Sequence, residues 1–427
     1  TVKDAGLNQL YRDRFTTCHR QYSLVCPFME RLVDLCEQPG PDGRGTAGWL
    51  GAIVSNAFMK REFGSKLVEE FLPKWDLTHV LNTSGAYIPG HGTPTVILLL
   101  RGRKPLGERV RAVMGIRGEP TPPEDPAKGL VWTEIVGLVD TADAKGSFVS
   151  VSDVERERFA SHPWSLGGGG AAELRDRIEV TGQRQLSHLN VDIGRTMHTG
   201  LDEAFYLPQS PASAIGPSVL PLIRGENVRD WSAESEEDVI APYNLTTLER
   251  LAENDLAERA KRILWLNKAA LAARSDYGQT LNERGLAWFE WSMFFRHRLA
   301  TPLGISFPVV ATHNHFVLCR KKLVFNSKAP VIKLPLTATE DDHLVLLGLL
   351  NSAMACFWMK QVFFPKGGSG IGRGVQDEEW ESRFEHDGTK LREFPLTAVP
   401  DAVARRAKSL DTLAQHHASH LPSALLA

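Results

Sequence analysis

Two stretches carry residue types better suited to holding a ligand than to packing. The first is Ser84–Gly92, where Tyr87, Ile88 and Pro89 precede Gly90, His91 and Gly92. It joins a flat ring and an apolar side chain to residues that set a tight backbone turn. His91 is a weaker candidate, since a lone loop histidine is usually only solvated. The second is Phe364–Gly374, FPKGGSGIGRG, with Lys366 and Arg373 and no acid. Its glycines let backbone amides approach a phosphate, and its two cations add charge. A surface loop is an equal reading of that stretch. Other candidates carry less. His313 and His315 stand two residues apart with no carboxylate or cysteine motif nearby, a poor metal set, so no metal is implied. Cys18, Cys26, Cys36, Cys319 and Cys356 show no paired spacing and read as reduced thiols in a cytoplasmic protein. Gly167–Gly170 is a glycine run in a loop context, not a cofactor fingerprint.

The elements that must position the first loop lie in Gly48–Lys104. Trp49–Val54 is a short apolar run and reads as a buried strand. Ser55 or Asn56 can cap a following helix, in which Phe63, Leu67 and Phe71 recur at helical spacing before Pro73. Leu77–Leu81 reads as a second strand, and Thr95–Leu100 as a third, buried on both faces. Strand, helix, strand, loop and strand form the tail half of a doubly wound α/β domain. Ligands of such sheets bind at the carboxyl ends of strands, so Ser55–Phe58 and Ser84–Gly92 are expected to face the site.

Flanking segments are less regular. Ala5–Phe15 reads as a helix or a solvated connector. Tyr22–Cys36 reads as a helix covering the sheet through Leu24, Phe28, Leu32 and Leu35. Residues 104–182 read as an insertion and linker. They hold a basic cluster from Arg101 to Arg117, strands at Leu130–Asp140 and Ser147–Val151, and a glycine-rich linker at Ser161–Ala172. A second domain, of α+β type, begins at Gln183. Leu245–Arg274 reads as one helix, Trp288–Phe295 as an aromatic core cluster, and Leu344–Gln361 as an apolar helix. A strand is expected near 389–396 and a terminal helix over 402–418.

With 427 residues, 42% hydrophobic and 23% charged, the chain is ordinary for a globular protein of two or three domains. Its formal net charge of −2 means that only a local patch, not the whole surface, could hold nucleic acid. No apolar run is long enough to span a membrane, and the first residues do not read as a signal peptide.

GWLGAIVSNAFMKREFGSKL and GAYIPGHGTPTVILLL, followed by HTGLDEAFYL and LLGLLNSAMACFW, resemble the adenine-specific DNA methyltransferases of the PglX (BREX phage-defence) type and, more distantly, the type IIG restriction–modification enzymes. The resemblance covers nearly the whole chain. It implies the C-terminal half of a doubly wound methyltransferase sheet (1–103), the insertion and linker (104–182), an α+β target-recognition domain (183–397) and a C-terminal helix (398–427). It implies S-adenosyl-L-methionine as methyl donor, double-stranded DNA as partner, and other phage-defence proteins as further partners. In such enzymes an Asn-Pro-Pro-Tyr tetrapeptide lies just before a segment like TVKDAGLNQLYRDRF, and the Gly-rich cofactor loop lies before that. Neither occurs here, so the chain is expected to be a fragment without catalytic residues of its own. Methylating a base in duplex DNA requires flipping it out and stacking it on a flat or apolar side chain. Tyr87 or Ile88, beside Pro89, is the candidate. Ile88 aligns by its position next to proline, and Tyr87 has the aromatic face. Lys60, Arg61, Arg195, His198, Arg224, Lys366 and Arg373 are candidates for contact with DNA. The alternative function is a DNA-specificity subunit without its own catalysis, against which the α/β stretch before Leu100 argues.

Overall fold

The computed structural model describes residues 4–40, 45–90, 93–208, 215–216, 218–229, 231–366, 383–398 and 401–420. The chain divides into two compact units. Residues 1–178 and 360–385 form the first, and 179–359 and 386–427 the second.

The first unit is built on one five-stranded sheet. Its strands are β1 (Trp49–Ser55), β2 (Asp76–Asn82), β3 (Thr95–Arg101), β4 (Arg109–Gly115) and β5 (Val149–Glu155), in the order β1-β3-β2-β4-β5. β3 runs antiparallel to both neighbours, β2 and β4 are parallel, and β5 is antiparallel to β4. The three expected strands are present with nearly the expected bounds. Their sequences explain this: β3 opens with six consecutive Thr, Val, Ile and Leu residues, and Val96, Leu98 and Leu100 are fully buried.

Residues 104–182 differ from the expected insertion. β4 and β5 extend the same sheet, and Trp164 and Leu166, from the supposed linker, are buried in its core. Leu130–Leu138, read as a strand, is a helix. It lays Val131 and Ile135 on Val113, Val149 and Val151. The run is largely apolar, broken only by Thr133, Glu134 and Gly137, and over nine residues its period did not distinguish strand from helix. Between β1 and β2 the expected single helix is a series of short helical turns over 56–74, opened by Ser55, whose hydroxyl accepts the Ala57 amide.

The N-terminal helices are α1 (Ala5–Arg14) and α2 (Val25–Asp34). α2 presents a different face from the expected one. It buries Val25, Cys26, Met29 and Val33, whereas Leu24, Phe28 and Leu35 are more than half exposed. The rotation satisfies a buried carboxylate: Glu30 Oε1 accepts the Thr17 amide at 2.6 Å, and Glu30 Oε2 accepts the Thr16 amide at 3.2 Å. β1 has β3 on one side and no partner on the other among the described residues. Trp49 and Ile53 are exposed along it, so the strand expected to be buried is an edge strand with one face open, because no further strand or helix covers that side among the described residues.

The second unit contains two four-stranded sheets. One orders 324–325, 219–223, 237–240 and 206–208; the other orders 317–319, 304–306, 331–333 and 192–194. The aromatic run expected as core does pack: Phe289 and Trp291 are buried, and Trp291 meets Tyr243 edge-on at 5.0 Å. The expected helix Leu245–Arg274 is shorter, Glu258–Leu266 and Lys268–Ala272, because Leu248 takes φ +60° in an irregular segment. Leu344–Gln361 lies in two helices, Glu340–Leu350 and Ala353–Val362, bent by 64°. The expected 389–396 strand is a helical turn at Gly388–Leu391 and a two-residue strand at 395–396. The terminal helix spans Asp401–Ala418. No single described helix is long and apolar enough to cross a membrane.

Candidate functional site: a basic cleft at the strand ends

The carboxyl ends of β1, β2 and β4 and the opposing starts of β3 and β5 meet at one edge of the first unit's sheet. There they open a cleft of about 260 Å³. Asn56, Asn82, Ser84, Gly85, Gly115 and Arg117 line it from these strand ends, and Lys360, Gln361, Phe364, Arg383 and Phe384 from the late segment. Four lining residues are basic, Lys60, Arg117, Lys360 and Arg383, and none is acidic. The sheet topology dictates this placement: chain ends of neighbouring strands leave backbone and short polar side chains free at the rim.

A hydrogen-bond chain fixes the floor. Asn56 Nδ2 donates to Ser84 Oγ at 2.8 Å, and Ser84 Oγ donates to the Thr95 carbonyl at 3.3 Å. Thr83 and Thr95 share a 2.7 Å hydroxyl pair beneath. This direction of donation leaves Asn56 Oδ1 as an acceptor, and it is enclosed without a hydrogen-bond partner. Asn82 Nδ2 donates to the Leu166 carbonyl.

Lys60 has a separate task. The residue is half-buried, but its ammonium is enclosed and donates to the carbonyls of Phe363, at 3.1 Å, and Lys360, at 3.4 Å. It thereby closes the carboxyl end of helix Ala353–Val362, where unsatisfied carbonyls gather. Burial, with a smaller contribution from the Arg175 charge, lowers its pKa to about 7.

The expected residues fall as follows. Ser84 and Asn56 face the cleft as the strand order required. Tyr87 and Ile88 are half-buried and Pro89 is exposed. None of the three lines the cleft. His91 and Arg373 lie outside the described residues. Arg61 pairs with Glu385 at 3.1 Å, and Lys366 pairs with the same carboxylate at 3.4 Å. Arg61 also covers the Phe364 ring at 4.4 Å. In the second unit, Arg224 is held by Glu226 at 2.9 Å and Glu237 at 2.8 Å, and Arg195 donates to Met293 Sδ. His198 stands 3.9 Å from Asp276. Each described cation of the expected DNA set is therefore engaged inside its own unit, by partners up to 324 residues away in sequence. The His313 and His315 rings lie 4.0 Å apart, tilted by 44°, but no group of three or more metal-ligating side chains occurs among the described residues. Of the cleft's basic residues, Arg117 was visible only as part of a basic cluster. Lys360 and Arg383 gave no signal, because nothing local shows that their segment joins the first unit.

No family model matches the chain. Among curated proteins, the chain is 39% identical over 439 aligned positions to the adenine-specific methyltransferase PglX of Streptomyces coelicolor, covering all of this chain and 36% of that protein. It is 26% identical over 356 positions to the type II methyltransferase M.XhoI of Xanthomonas vasicola, covering 81% of this chain and 59% of that one. The chain thus spans about a third of PglX and under two thirds of M.XhoI. Among solved structures, the type IIL restriction–modification enzyme MmeI bound to DNA gives a TM-score of 0.49 at 9% identity over 88% of this chain and 42% of that one. The type IIG restriction endonuclease BpuSI gives 0.38 at 10% over 96% and 47%. Over its whole length, then, the chain is a relative of the adenine-specific methyltransferase PglX.

Proposed function

We propose that these residues are part of a site-specific DNA methyltransferase that moves a methyl group from S-adenosyl-L-methionine to the exocyclic amine of adenine, in cytoplasmic phage defence. The observation that carries the reading is the 39% identity to PglX along the entire chain. In this reading the first unit is the later part of the catalytic sheet and the second unit selects the target.

The cofactor has no home in the cleft described above. S-adenosyl-L-methionine carries a sulfonium and an ammonium against one carboxylate, a net positive charge, and the cleft is basic and has no carboxylate to offset it. No step of methyl transfer is therefore assigned to its residues. Support for a cofactor-binding part outside these 427 residues comes from β1. Its outer edge is unpaired among the described residues, and beside it lies a largely apolar groove lined by Tyr11, Phe15, Leu24, Phe28 and Ile53.

Methylation sequencing tests the reading. Deleting the coding region of this chain from its parent gene should erase N6-methyladenine from one sequence motif; unchanged marks at every motif would overturn it. The isolated chain should show no saturable binding of S-adenosyl-L-methionine by calorimetry.

For the target base, Tyr87→Ala in the parent is expected to lower turnover about tenfold or more while leaving DNA affinity nearly unchanged. Aromatic stacking on a base contributes roughly 1–3 kcal/mol. If Ile88→Ala lowers turnover and Tyr87→Ala does not, the proline-adjacent side chain holds the base.

A further inference from the structure

We propose that the acid-free cleft of the first unit is a nucleotide site, in which Arg117, Lys360 and Arg383 hold one phosphate of a DNA strand and Asn56 Oδ1 accepts an N–H of that nucleotide's base. The proposal rests on the reading of this protein as one that acts on DNA. It adds a nucleotide position distinct from the Tyr87–Pro89 loop, which does not line the cleft.

Charge comes first. The chain as a whole carries a net charge of −2, yet all four ionisable residues lining this cleft are cations. Lys60 is spent on carbonyls. The other three have no ion-pair partner among the described residues. The Arg117 guanidinium lies over the Phe148 ring at 4.7 Å, and the Lys360 ammonium stands 5.8 Å from the Phe384 ring. Rings orient these cations without neutralising them, which leaves their charge for an anion. Elsewhere in the same unit, exposed cations such as Arg61 and Arg109 meet carboxylates.

Size and polarity narrow the anion. About 260 Å³ falls just short of the roughly 300 Å³ at which pockets for drug-sized ligands begin, so the cleft suits one nucleotide rather than two. Its walls include Phe364, Phe384, Pro94 and Leu166, apolar surfaces that a bare phosphate would not use and a base would.

Asn56 identifies the remaining feature. The amide is oriented by its bond to Ser84, which itself donates onward to Thr95, so the free atom is the acceptor. An enclosed carbonyl oxygen without a donor is costly, and a base N–H supplies one where a phosphate oxygen does not. Cations for a phosphate, apolar walls and one buried acceptor together describe a nucleotide.

The test uses the full chain and four probes followed by calorimetry: inorganic phosphate, dAMP, the deoxynucleotide of unsubstituted purine, which lacks the amino group, and a single-stranded 12-mer. The proposal expects saturable dAMP binding at least tenfold tighter than phosphate, and displacement of dAMP by the 12-mer. Arg117→Gln, a rim substitution that leaves the core alone, should weaken dAMP and the purine nucleotide alike, by fivefold or more. Asn56→Ala should bring dAMP down to the level of the purine nucleotide and leave the latter unchanged. Equal binding of phosphate and dAMP, or an Asn56→Ala protein that still prefers dAMP, would overturn the proposal. So would dAMP that the 12-mer fails to displace, since the site would then serve free nucleotides. If these variants leave dAMP untouched while the 12-mer still binds, the cleft assignment fails and the DNA reading stands. If they behave as expected but the parent methylates nothing, the reverse holds.

Discussion

Lys60→Met is expected to remove a pH dependence of stability on the order of 3 kcal/mol between pH 7 and 10. Burial lowers the Lys60 pKa from the usual lysine value of 10.5 to about 7. Between those values the unfolded chain holds a proton that the folded chain has released, so stability rises with pH across this window. Below pH 7 the lysine is charged in both states, and the full cost of enclosing its ammonium is borne by the fold. The whole shift would correspond to nearly 5 kcal/mol at about 1.4 kcal/mol per unit, and water reaching the half-exposed stem argues for less. Methionine keeps the stem's volume and carries no charge. It forfeits the two bonds to Lys360 and Phe363 carbonyls, about 1 kcal/mol each at most after solvation. The variant should therefore be no less stable than the parent chain at pH 6.5 and clearly less stable at pH 9.5, where the neutral amine still donates. Urea unfolding at both pH values measures this. Parallel stability curves would show that the ammonium is hydrated and the helix end closed in some other way.

Where the sequence was readable, one physical signal dominated. β1 and β3 carry unbroken apolar runs, which was enough to place both strands, although such a run did not show that β1 is an edge strand buried on one face only. The polar rim was also legible, because residues just past a strand's carboxyl end have a fixed position in such sheets. That logic placed Asn56 and Ser84 at the cleft. Two kinds of information were out of reach. The face of α2 was one. Leu24, Phe28 and Leu35 share one stripe of the helix and Val25, Met29 and Val33 an adjacent one, and periodicity does not choose between adjacent apolar stripes. The choice is made by Glu30, whose carboxylate must meet the Thr16 and Thr17 amides. Long-range pairing was the other. Lys366 and Arg61 read as free cations until the fold brings Glu385 to both. Residues 360–385 read as part of the second domain, yet they group with the first unit and furnish two of the cleft's four basic residues, Lys360 and Arg383.

That regrouping changes how target recognition should be tested. Phosphate contacts set position, whereas contacts to base edges set sequence. If the first unit handles the reactive adenine and a strand phosphate, the reading of sequence falls to the second. An exchange of 183–397 with the matching segment of a relative would also carry 360–385 across, replacing Lys360 and Arg383 in the cleft and the helix end whose carbonyls Lys60 caps with residues not fitted to this sheet. Such a chimera is expected to lose activity for reasons unrelated to specificity. Exchanging 179–359 alone, with 360–385 retained, respects the compact units. In the parent enzyme this narrower chimera is expected to methylate the donor's motif and to leave its own unmarked, a complete switch rather than a graded one, because each wrong base pair costs roughly 1–3 kcal/mol and a motif contains several. Methylation sequencing of cells carrying each chimera decides it. An active chimera that still marks the original motif would place sequence reading outside 179–359, with the retained 360–385 segment and its Lys366 the first place to look.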